Sequence, residues 1–344
     1  MDNDTFRREA AAVLSTAIGF DWWCWVLVDP AAYLPTRAIS VNAVPDQDPR
    51  RFARVISDVW TGNGASGAWR NQPAVTTLSV ATGGDLRRDR YWREMLGPAG
   101  GGDALTARLV ADGNCWAELH LGRDSSGGTF RDDECAFVAE MAPLLAARLR
   151  DGLRRTSQPA GPCPEPGTIV VDGELSVVAA TDQAWRWIDR LGVEQPSEAE
   201  SLPGFIYPIA ARVAASPAGP PRTIRVRMQA ADGHWAVVQV APLTSGPGPA
   251  AMSGGYAITL ESARSDDLAP LLMRAWALSP RERDVARLVI DGLSTEDIAA
   301  TLFISPHTAR DHLKAIFDKV GIHRRRDLVA ALAGASAAPA GDRD

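Results

Sequence analysis

The sequence predicts a multidomain chain in which two α+β domains precede a small all-α domain of four helices. At 344 residues the chain is too long for one ordinary hydrophobic core, and 46% hydrophobic residues are enough to fill two or three cores. Strand-like and helix-like patterns alternate before residue 262, whereas residues 278–334 carry helix signals alone. A Pro-rich stretch separates the two regions that contain strands.

Residues 4–155 are predicted to form the first α+β domain. A helix comes first, and the turn Ala111-Asp112-Gly113-Asn114 predicts a hairpin between two later strands. Asp132 is expected to cap a long last helix that contains Pro143. The elements predicted between these two helices are strands at 23–28 and 38–44, helices at 49–60 and 86–96, and strands at 105–110 and 115–121.

Apolar residues at helical spacing predict which sides of the two flanking helices are buried. The first helix is expected to bury Phe6, Ala10, Val13, Leu14 and Ala17. The long helix is expected to bury Phe137, Met141, Leu144, Leu145, Leu149 and Leu153.

A second α+β domain is predicted at residues 167–262, after a semi-rigid Pro-rich linker at 156–166. Thr181 is expected to cap a helix that Gly192 ends, because glycine readily adopts the left-handed conformation at that position. Alternating apolar residues predict strands on both sides of this helical region. The pattern predicts a five-stranded sheet with helices in its middle crossover.

A connector helix at 265–277 leads into the four helices of residues 278–334. Ser279 and Glu282 form the pattern of a capping box, and Pro280 stands at the first helical position, where its missing N–H does no harm. Ser294 is expected to cap the second helix, and the sequence Ser305-Pro306 restarts the chain after a break of a few residues. The order predicted is a helix, a tight turn and a helix.

The third helix, at 306–320, has polar and basic residues on one face and apolar residues on the other. Its inward stripe is predicted to be Ala309, Leu313, Ile316, Phe317 and Val320. Positive charge gathers at this end of the chain although the formal net charge is −6. A local basic helix in an acidic chain favours a discrete nucleic-acid contact over general affinity for polyanions. A solvated helix face is the alternative for such a helix when it stands alone.

Four stretches in this region resemble the C-terminal DNA-binding domain of the LuxR family, a four-helix helix-turn-helix module. They are S-P-R-E-R-D-V, D-G-L-S-x-x-D-I-A, I-S-P-H-T-A-R-D-H-L-K and K-V-G-I-H. The resemblance implies double-stranded DNA as a partner, bound by a homodimer. The last helix, with Leu328, Val329 and Leu332, and the long helix ending near Leu153 are the candidate dimer faces.

The same resemblance assigns positions on DNA to individual side chains. Asp311 is expected either to accept from a cytosine amino group or to hold Arg310 or Lys314 in place. Arg324 stands where the family more often has a serine-like cap, and it adds a phosphate-seeking charge together with Arg325. The groove-facing positions implied are His307, Thr308, Arg310, Asp311 and Lys314, and the positions that usually face phosphate are His312 and Lys319.

The first region also resembles a GAF domain. The segments that carry this resemblance are RYWREMLGPAGGGDALTARLVADGNCWAELHLGR and FRDDECAFVAEMAPLLAARLRDGL. The second region resembles a PAS domain in its predicted topology. The resemblance to GAF implies a domain that binds a small-molecule effector or that only transmits signals and dimerises. The tryptophans that either line a pocket for a planar ligand or fill the core are Trp22, Trp23, Trp25, Trp60, Trp69, Trp92 and Trp116.

Several classes of protein are disfavoured by what the sequence lacks. Its only lysines are Lys314 and Lys319, so neither a Walker phosphate loop nor the lysine of a phospho-receiver domain is present. No C-x-x-C pair or H-E-x-x-H occurs among the residues, so no metal site is expected, and the scattered cysteines indicate plain thiols. No run approaches the roughly 20 apolar residues of a membrane span. The scattered cysteines are Cys24, Cys115, Cys135 and Cys163.

The sequence thus predicts a cytoplasmic transcriptional regulator without catalysis and without a cofactor. An open alternative is a haem, redox or other cofactor-binding sensor whose N-terminal pocket carries chemistry, for which His120 on its strand is a candidate residue. A module that only binds other proteins is a further alternative.

Overall fold

The computed structural model describes residues 3–42, 55, 73–154, 164–192, 202–215, 223–230, 232–243 and 254–332. The chain divides into two compact units. One consists of Met1–Leu149 with Pro162–Ser262, and the other of Arg150–Gly161 with Ala263–Asp344. The first unit contains two antiparallel five-stranded sheets, and the described elements of the second unit are helices.

The first sheet has the strand order β2-β1-β5-β4-β3. Its strands are β1 (Trp22–Asp29), β2 (Leu34–Val41), β3 (Val75–Thr77), β4 (Gly101–Ala111) and β5 (Asn114–Asp124). The accompanying helices are α1 (Asn3–Ala17), α2 (Leu78–Ala81) and α3 (Asp132–Arg154). The predicted hairpin is confirmed, with Asp112 and Gly113 both at positive φ, as a two-residue turn between twisted strands requires.

The predicted buried side of α1 is wrong at two positions, because Val13 and Ala17 are exposed. Val13 is 67% exposed, whereas Arg7 is fully buried. Arg7 donates from Nη1 to the Trp25 carbonyl at 3.0 Å and from Nη2 to Asp4 Oδ1 at 2.6 Å. These hydrogen bonds satisfy the guanidinium, so the helix turns Arg7 towards the sheet and leaves Val13 in solvent.

Two corrections apply to α3. Leu144 and Phe137, predicted to be buried, are 63% and 37% exposed, while Val138 and Ala142 occupy the core. α3 begins at Asp132, which is therefore its first helical residue rather than its cap, and the carboxylate of Glu134 accepts from the backbone N–H of Arg131 at 2.9 Å. Apolar residues occupy more of the surface of α3 than one buried face can contain. Helical periodicity alone therefore could not show which of them are buried.

Two predicted helices of the first region have different outcomes. The helix at 86–96 is interrupted: a short 3₁₀ turn spans Leu86–Arg88, and a π-type turn spans Trp92–Leu96. Asp89 causes the restart because its carboxylate accepts from the Trp92 N–H at 2.8 Å. The helix predicted at 49–60 lies outside the described residues apart from Val55, which is helical and buried.

The second sheet has the order β7-β6-β10-β9-β8, with helices in the crossover between β7 and β8 as predicted. Thr181 does not cap the first of these helices, because its hydroxyl accepts from the Thr168 N–H of the neighbouring strand at 3.0 Å. Gly192 ends that helix at φ 62°, as predicted. The elements are β6 (Gly167–Asp172), β7 (Val177–Ala180), α4 (Asp182–Leu191), α5 (Ile206–Ala214), β8 (Ile224–Gln229), β9 (Trp235–Pro242) and β10 (Gly255–Ser262).

The connection between β1 and β2 joins the two sheets into one unit. Asp29, fully buried, accepts from Arg227 of β8 through both its backbone N–H and its guanidinium, each at 3.0 Å. Leu34 is 1% exposed and belongs to the hydrophobic core of the second sheet. The end of one strand in the first sheet is therefore fixed to the second sheet by an ion pair and by apolar packing.

The helices of the second unit begin and end close to where the sequence predicts them. The predicted capping box forms at Ser279 with Glu282, and Ser294 and Ser305 cap the next two helices as predicted. Ser294 also forms a capping box with Asp297. Within the described part of the chain, no helix is long and apolar enough to span a bilayer. The helices are α6 (Ser265–Ala275), α7 (Pro280–Ile290), α8 (Thr295–Leu302), α9 (Pro306–Val320) and α10 (Arg325–Leu332).

Candidate nucleic-acid interface

A three-residue turn sets the geometry between α8 and α9. Phe303 ends α8 in the left-handed conformation, and its N–H and that of Ile304 bond back to carbonyls of the last helical turn. Ser305 then accepts from the Thr308 N–H at 3.0 Å and starts α9. Since Ala309, Leu313 and Ile316 are buried, the orientation of α9 is fixed by its inward stripe.

The opposite face of α9 is exposed and polar. His307, Arg310, Asp311 and Lys314 all lie on it, as predicted from their spacing. His307 Nδ1 lies 2.9 Å from Asp311 Oδ2, so Asp311 is paired with His307 rather than with Arg310 or Lys314. Among the described residues Lys314 forms no ion pair, which leaves its ammonium available to a ligand.

One residue near this face was missed by the sequence reasoning. Glu296 of α8 lies 3.8 Å from the Arg310 guanidinium, with both side chains more than 60% exposed. An exposed pair at this distance contributes little to stability, so Arg310 can leave it for a phosphate or base edge. Glu296 lies in the first turn of α8, two residues after the Ser294 cap. This acidic first turn was a sequence signal that could have placed Glu296 near the exposed face of α9.

Two of the predicted phosphate-facing cations have partners inside the domain. Lys319 donates to Glu282 Oε2 at 2.6 Å and to the Ala277 carbonyl at 3.3 Å. Arg325 donates to the carbonyls of Val289 and Leu293 at the end of α7. Both side chains hold helices together in the free protein.

The other predicted residues differ in their accessibility. Thr308 is half-buried, and its hydroxyl lies 2.9 Å from that of Ser305, so it supports the cap of α9. His312 is half-buried at the edge of the exposed face, whereas Arg324 is exposed just before α10. The exposed face of α9 therefore brings together His307, Arg310, Asp311 and Lys314, and Arg324 stands apart from them in the sequence.

Replacing Lys319 by methionine is expected to lower the stability of the protein by about 1 kcal/mol, since the pair with Glu282 is partly exposed and screened. Burial raises the pKa of Glu282, but hydrogen bonds from Lys319 and Ser279 and the charge of Lys319 outweigh it and hold the pKa below its usual value. A carboxylate with a depressed folded-state pKa stabilises the protein above its unfolded pKa, and this stabilisation is lost as the pH falls through the folded value.

Thermal unfolding of wild type and Lys319→Met between pH 7 and pH 3 measures both effects. The difference between the two proteins should be largest near neutral pH and should shrink on acidification. Arg326→Met, which removes an exposed charge outside the pair with Glu282, is the matched control and should leave stability almost unchanged. A constant difference at every pH would contradict the assignment.

A second cluster of polar side chains lies on the first sheet. Buried Glu118 accepts from the Tyr33 hydroxyl at 2.8 Å, and Arg108 and His120 lie 3.7 Å and 3.6 Å from its carboxylate. Burial lowers the pKa of His120, and burial followed by the charge of Glu118 raises the pKa of Tyr33. His120 also lies 3.1 Å from the Thr106 hydroxyl. No group of three metal-ligating side chains occurs among the described residues.

The described tryptophans of the first sheet lie on both of its faces. Trp22 packs with Leu96 and Ala104, while Trp25 stacks edge-on against Phe6 of α1 on the opposite side of β1. Cys115 is buried and Cys24 is partly buried, and burial raises the pKa of Cys24 to about 12 and that of Cys115 as well. Such thiols are protonated and unreactive at neutral pH. Trp60, Trp69 and Cys163 lie outside the described residues.

α8, the three-residue turn and the capped α9 form a helix-turn-helix, and the exposed polar face of α9 is typical of that class of protein. The chain belongs to the LuxR family of bacterial regulatory proteins, whose family model matches residues 277–332. Spore germination protein GerE of Bacillus subtilis is 38% identical over 55 residues, which are 16% of this chain and 74% of GerE. Proteins named as HTH-type transcriptional regulators in Mycobacterium tuberculosis and Mycobacterium bovis are 51% identical over 57 residues. That match covers 16% of this chain and only 6% of their length.

Solved structures give weaker likenesses. A GAF domain/HD domain protein of Geobacter sulfurreducens is 14% identical with a TM-score of 0.27, covering 43% of this chain and 93% of that one. A ligand and DNA complex of VqmA from Vibrio cholerae is 16% identical with a TM-score of 0.24, covering 49% and 84%. SdiA of Escherichia coli is 10% identical with a TM-score of 0.32, covering 97% and 92%. At these scores the likenesses add nothing to the family assignment.

Proposed function

We propose that this protein is a cytoplasmic transcriptional regulator that recognises double-stranded operator DNA through α9. The observation that carries the proposal is the exposed polar face of α9, with Arg310 and Lys314 one turn apart beyond a capped tight turn. Long cationic side chains on a helix in the major groove are suited to the O6 and N7 atoms of guanine. The proposal assigns no catalytic step to the chain.

The domain assignment that accompanies this function follows the sequence. Residues 4–155 form a GAF-like domain, residues 167–262 a PAS-like domain and residues 278–334 the DNA-binding domain, with a linker at 156–166 and a connector helix at 265–277. The five-stranded antiparallel sheets in the first two regions support this division. The ion pair of Asp29 with Arg227 joins the two sheets in one compact unit, so we expect the first two domains to act as one body.

We further propose that the protein acts as a homodimer, because one recognition helix contacts too few base pairs for specific binding. Of the two candidate faces, α10 offers one exposed apolar side chain, Val329, whereas Leu328 and Leu332 are buried within the domain and α10 packs against α6. On α3, Phe137 and Leu144 lie two turns apart on the same exposed side. These exposed apolar side chains support α3 as the dimer face.

The exposed Val13 on α1 is proposed to extend this apolar surface. Phe6 near the start of α1 lies under Arg148 late in α3, and the Gly19 carbonyl after α1 accepts from Arg123, which pairs with Glu134 early in α3. The two helices are therefore antiparallel, and the exposed Val13 lies at the level of the middle of α3. Such a two-helix surface can pair with its copy in a second chain.

A signal at the two sheets is proposed to modulate DNA binding. The buried cluster of Glu118, Tyr33 and His120 supports a polar small-molecule effector at the first sheet. The alternative of a cofactor-binding sensor is tested by the absorbance spectrum of the protein purified from its native host. A haem or flavin band would favour the alternative. The raised pKa values of Cys24 and Cys115 argue against a thiolate-based redox sensor at these two residues.

The proposed function is tested by selecting duplexes from a randomised DNA library with the full-length protein. We expect an enriched sequence with two inverted half-sites about one helical turn or a multiple of it apart. Sedimentation of the protein on this duplex should give two chains per duplex. Failure to enrich any sequence would overturn DNA recognition, and a single chain per duplex would overturn the dimer.

A further inference from the structure

The turn before α9 contains a side chain that the fold does not need. Phe303 is 95% exposed and adopts φ 55° and ψ 47°, the left-handed region that favours glycine. The hydrogen bonds that close the turn come from the backbone N–H groups of Phe303 and Ile304 and require no side chain. A large apolar residue here is disfavoured by its conformation and gains nothing from burial. A residue in a disfavoured backbone conformation that makes no compensating contact indicates a function.

The position of Phe303 places it beside the recognition face. It precedes Ser305, the cap of α9, by two residues, and the N-terminal end of a recognition helix is the end that contacts base edges in the major groove. Arg281 of α7 donates to the carbonyl of Leu302, the residue before Phe303, at 2.8 Å and is 46% exposed. Arg281 thus lies beside the backbone of the turn that carries Phe303, and a cation there is suited to a phosphate, so this surface fits DNA better than an apolar protein partner.

We propose that Phe303 is a specificity residue that contacts the C5-methyl group of a thymine at the edge of each operator half-site. The thymine methyl is the apolar group that the base pairs offer in the major groove, and phenylalanine is among the side chains that contact it. Arg310 and Lys314 then act on neighbouring base pairs from α9. This inference rests on the proposed recognition of DNA by α9.

The test uses full-length protein and the duplex that the wild type enriches from a randomised library. In Phe303→Gly the ring is lost, while the residue introduced suits the left-handed turn, so the melting temperature should stay the same or rise. Removing one methyl contact from each half-site should weaken binding about fourfold per site, or roughly 15-fold for a dimer. Affinity for a scrambled duplex should not change.

Replacing thymine by uracil removes the methyl group from the DNA side. Uracil at the contacted position should weaken DNA binding by the wild type by the same factor as the Phe303→Gly substitution does. It should have no effect on DNA binding by Phe303→Gly, because that variant lacks the contact. Val80→Ala removes an exposed apolar side chain of the first unit and should leave both measurements unchanged.

Three results would overturn the inference. The first is equal affinity of wild type and Phe303→Gly for the selected duplex. The second is a uracil effect of the same size in both proteins at every position. The third is unchanged DNA binding with reduced transcription from the selected site, which would assign Phe303 to a protein partner. Failure of the wild type to enrich any sequence would instead overturn the proposed function.

Discussion

Arg310→Ala and Lys314→Ala are expected to cost about 1–3 kcal/mol each in binding to the selected operator and to relax the base preference at the contacted positions. In a dimer each substitution occurs twice, so the loss in affinity is expected to be larger than for one half-site. Both side chains are exposed on the same face of α9, one turn apart. Arg310 must leave the weak pair with Glu296, whereas Lys314 has no ion-pair partner among the described residues.

Titrations on the selected and a scrambled duplex across a salt series distinguish base contacts from general charge. For base contacts, the loss on the selected duplex should exceed the loss on the scrambled one. Arg287→Ala removes one exposed positive charge from α7 and serves as the charge-matched control. Equal losses on both duplexes for Arg310→Ala and Lys314→Ala would show that these side chains do not contact bases.

Asp29→Ala is expected to lower the free energy of unfolding by about 3–5 kcal/mol, because it removes the carboxylate that pairs with the buried Arg227 guanidinium. The Asp29 side chain is fully buried and that of Arg227 is 14% exposed. The Asp29 carboxylate also accepts from the N–H of Ala31 at 2.8 Å, so the turn after β1 loses its support as well. The change should be visible as a lower denaturant midpoint in full-length protein.

Two further variants separate the ion pair from the packing around it. Glu261→Ala breaks the partly exposed pair of Glu261 with Arg225 on the same sheet and should cost less than about 1 kcal/mol. Combining Asp29→Leu with Arg227→Met removes both charges and should recover most of the stability that Asp29→Ala loses. An effect of Asp29→Ala no larger than that of Glu261→Ala would mean that the pair does not hold the two sheets together.

The helix boundaries in the second unit were determined by the local sequence. Ser279 with Glu282, Ser294 with Asp297, and Ser305 form their caps with residues three positions along the chain, so no distant part of the protein is needed. The exposed face of α9 followed from helical spacing in the same way. Glycine at the end of α4 and the turn at Asp112 and Gly113 are also local, since their φ angles depend on the residues themselves.

Tertiary structure decided which of several suitable residues were buried and which charges were paired. Periodicity could not show that α1 buries Arg7 and exposes Val13, because the acceptors of Arg7 include the carbonyl of Trp25 on another element. Lys319 is paired with Glu282 from 37 residues away, and Asp29 with Arg227 from 198 residues away. The energy of such contacts depends on burial and on the distance between groups far apart in the chain, which the order of residues alone does not contain.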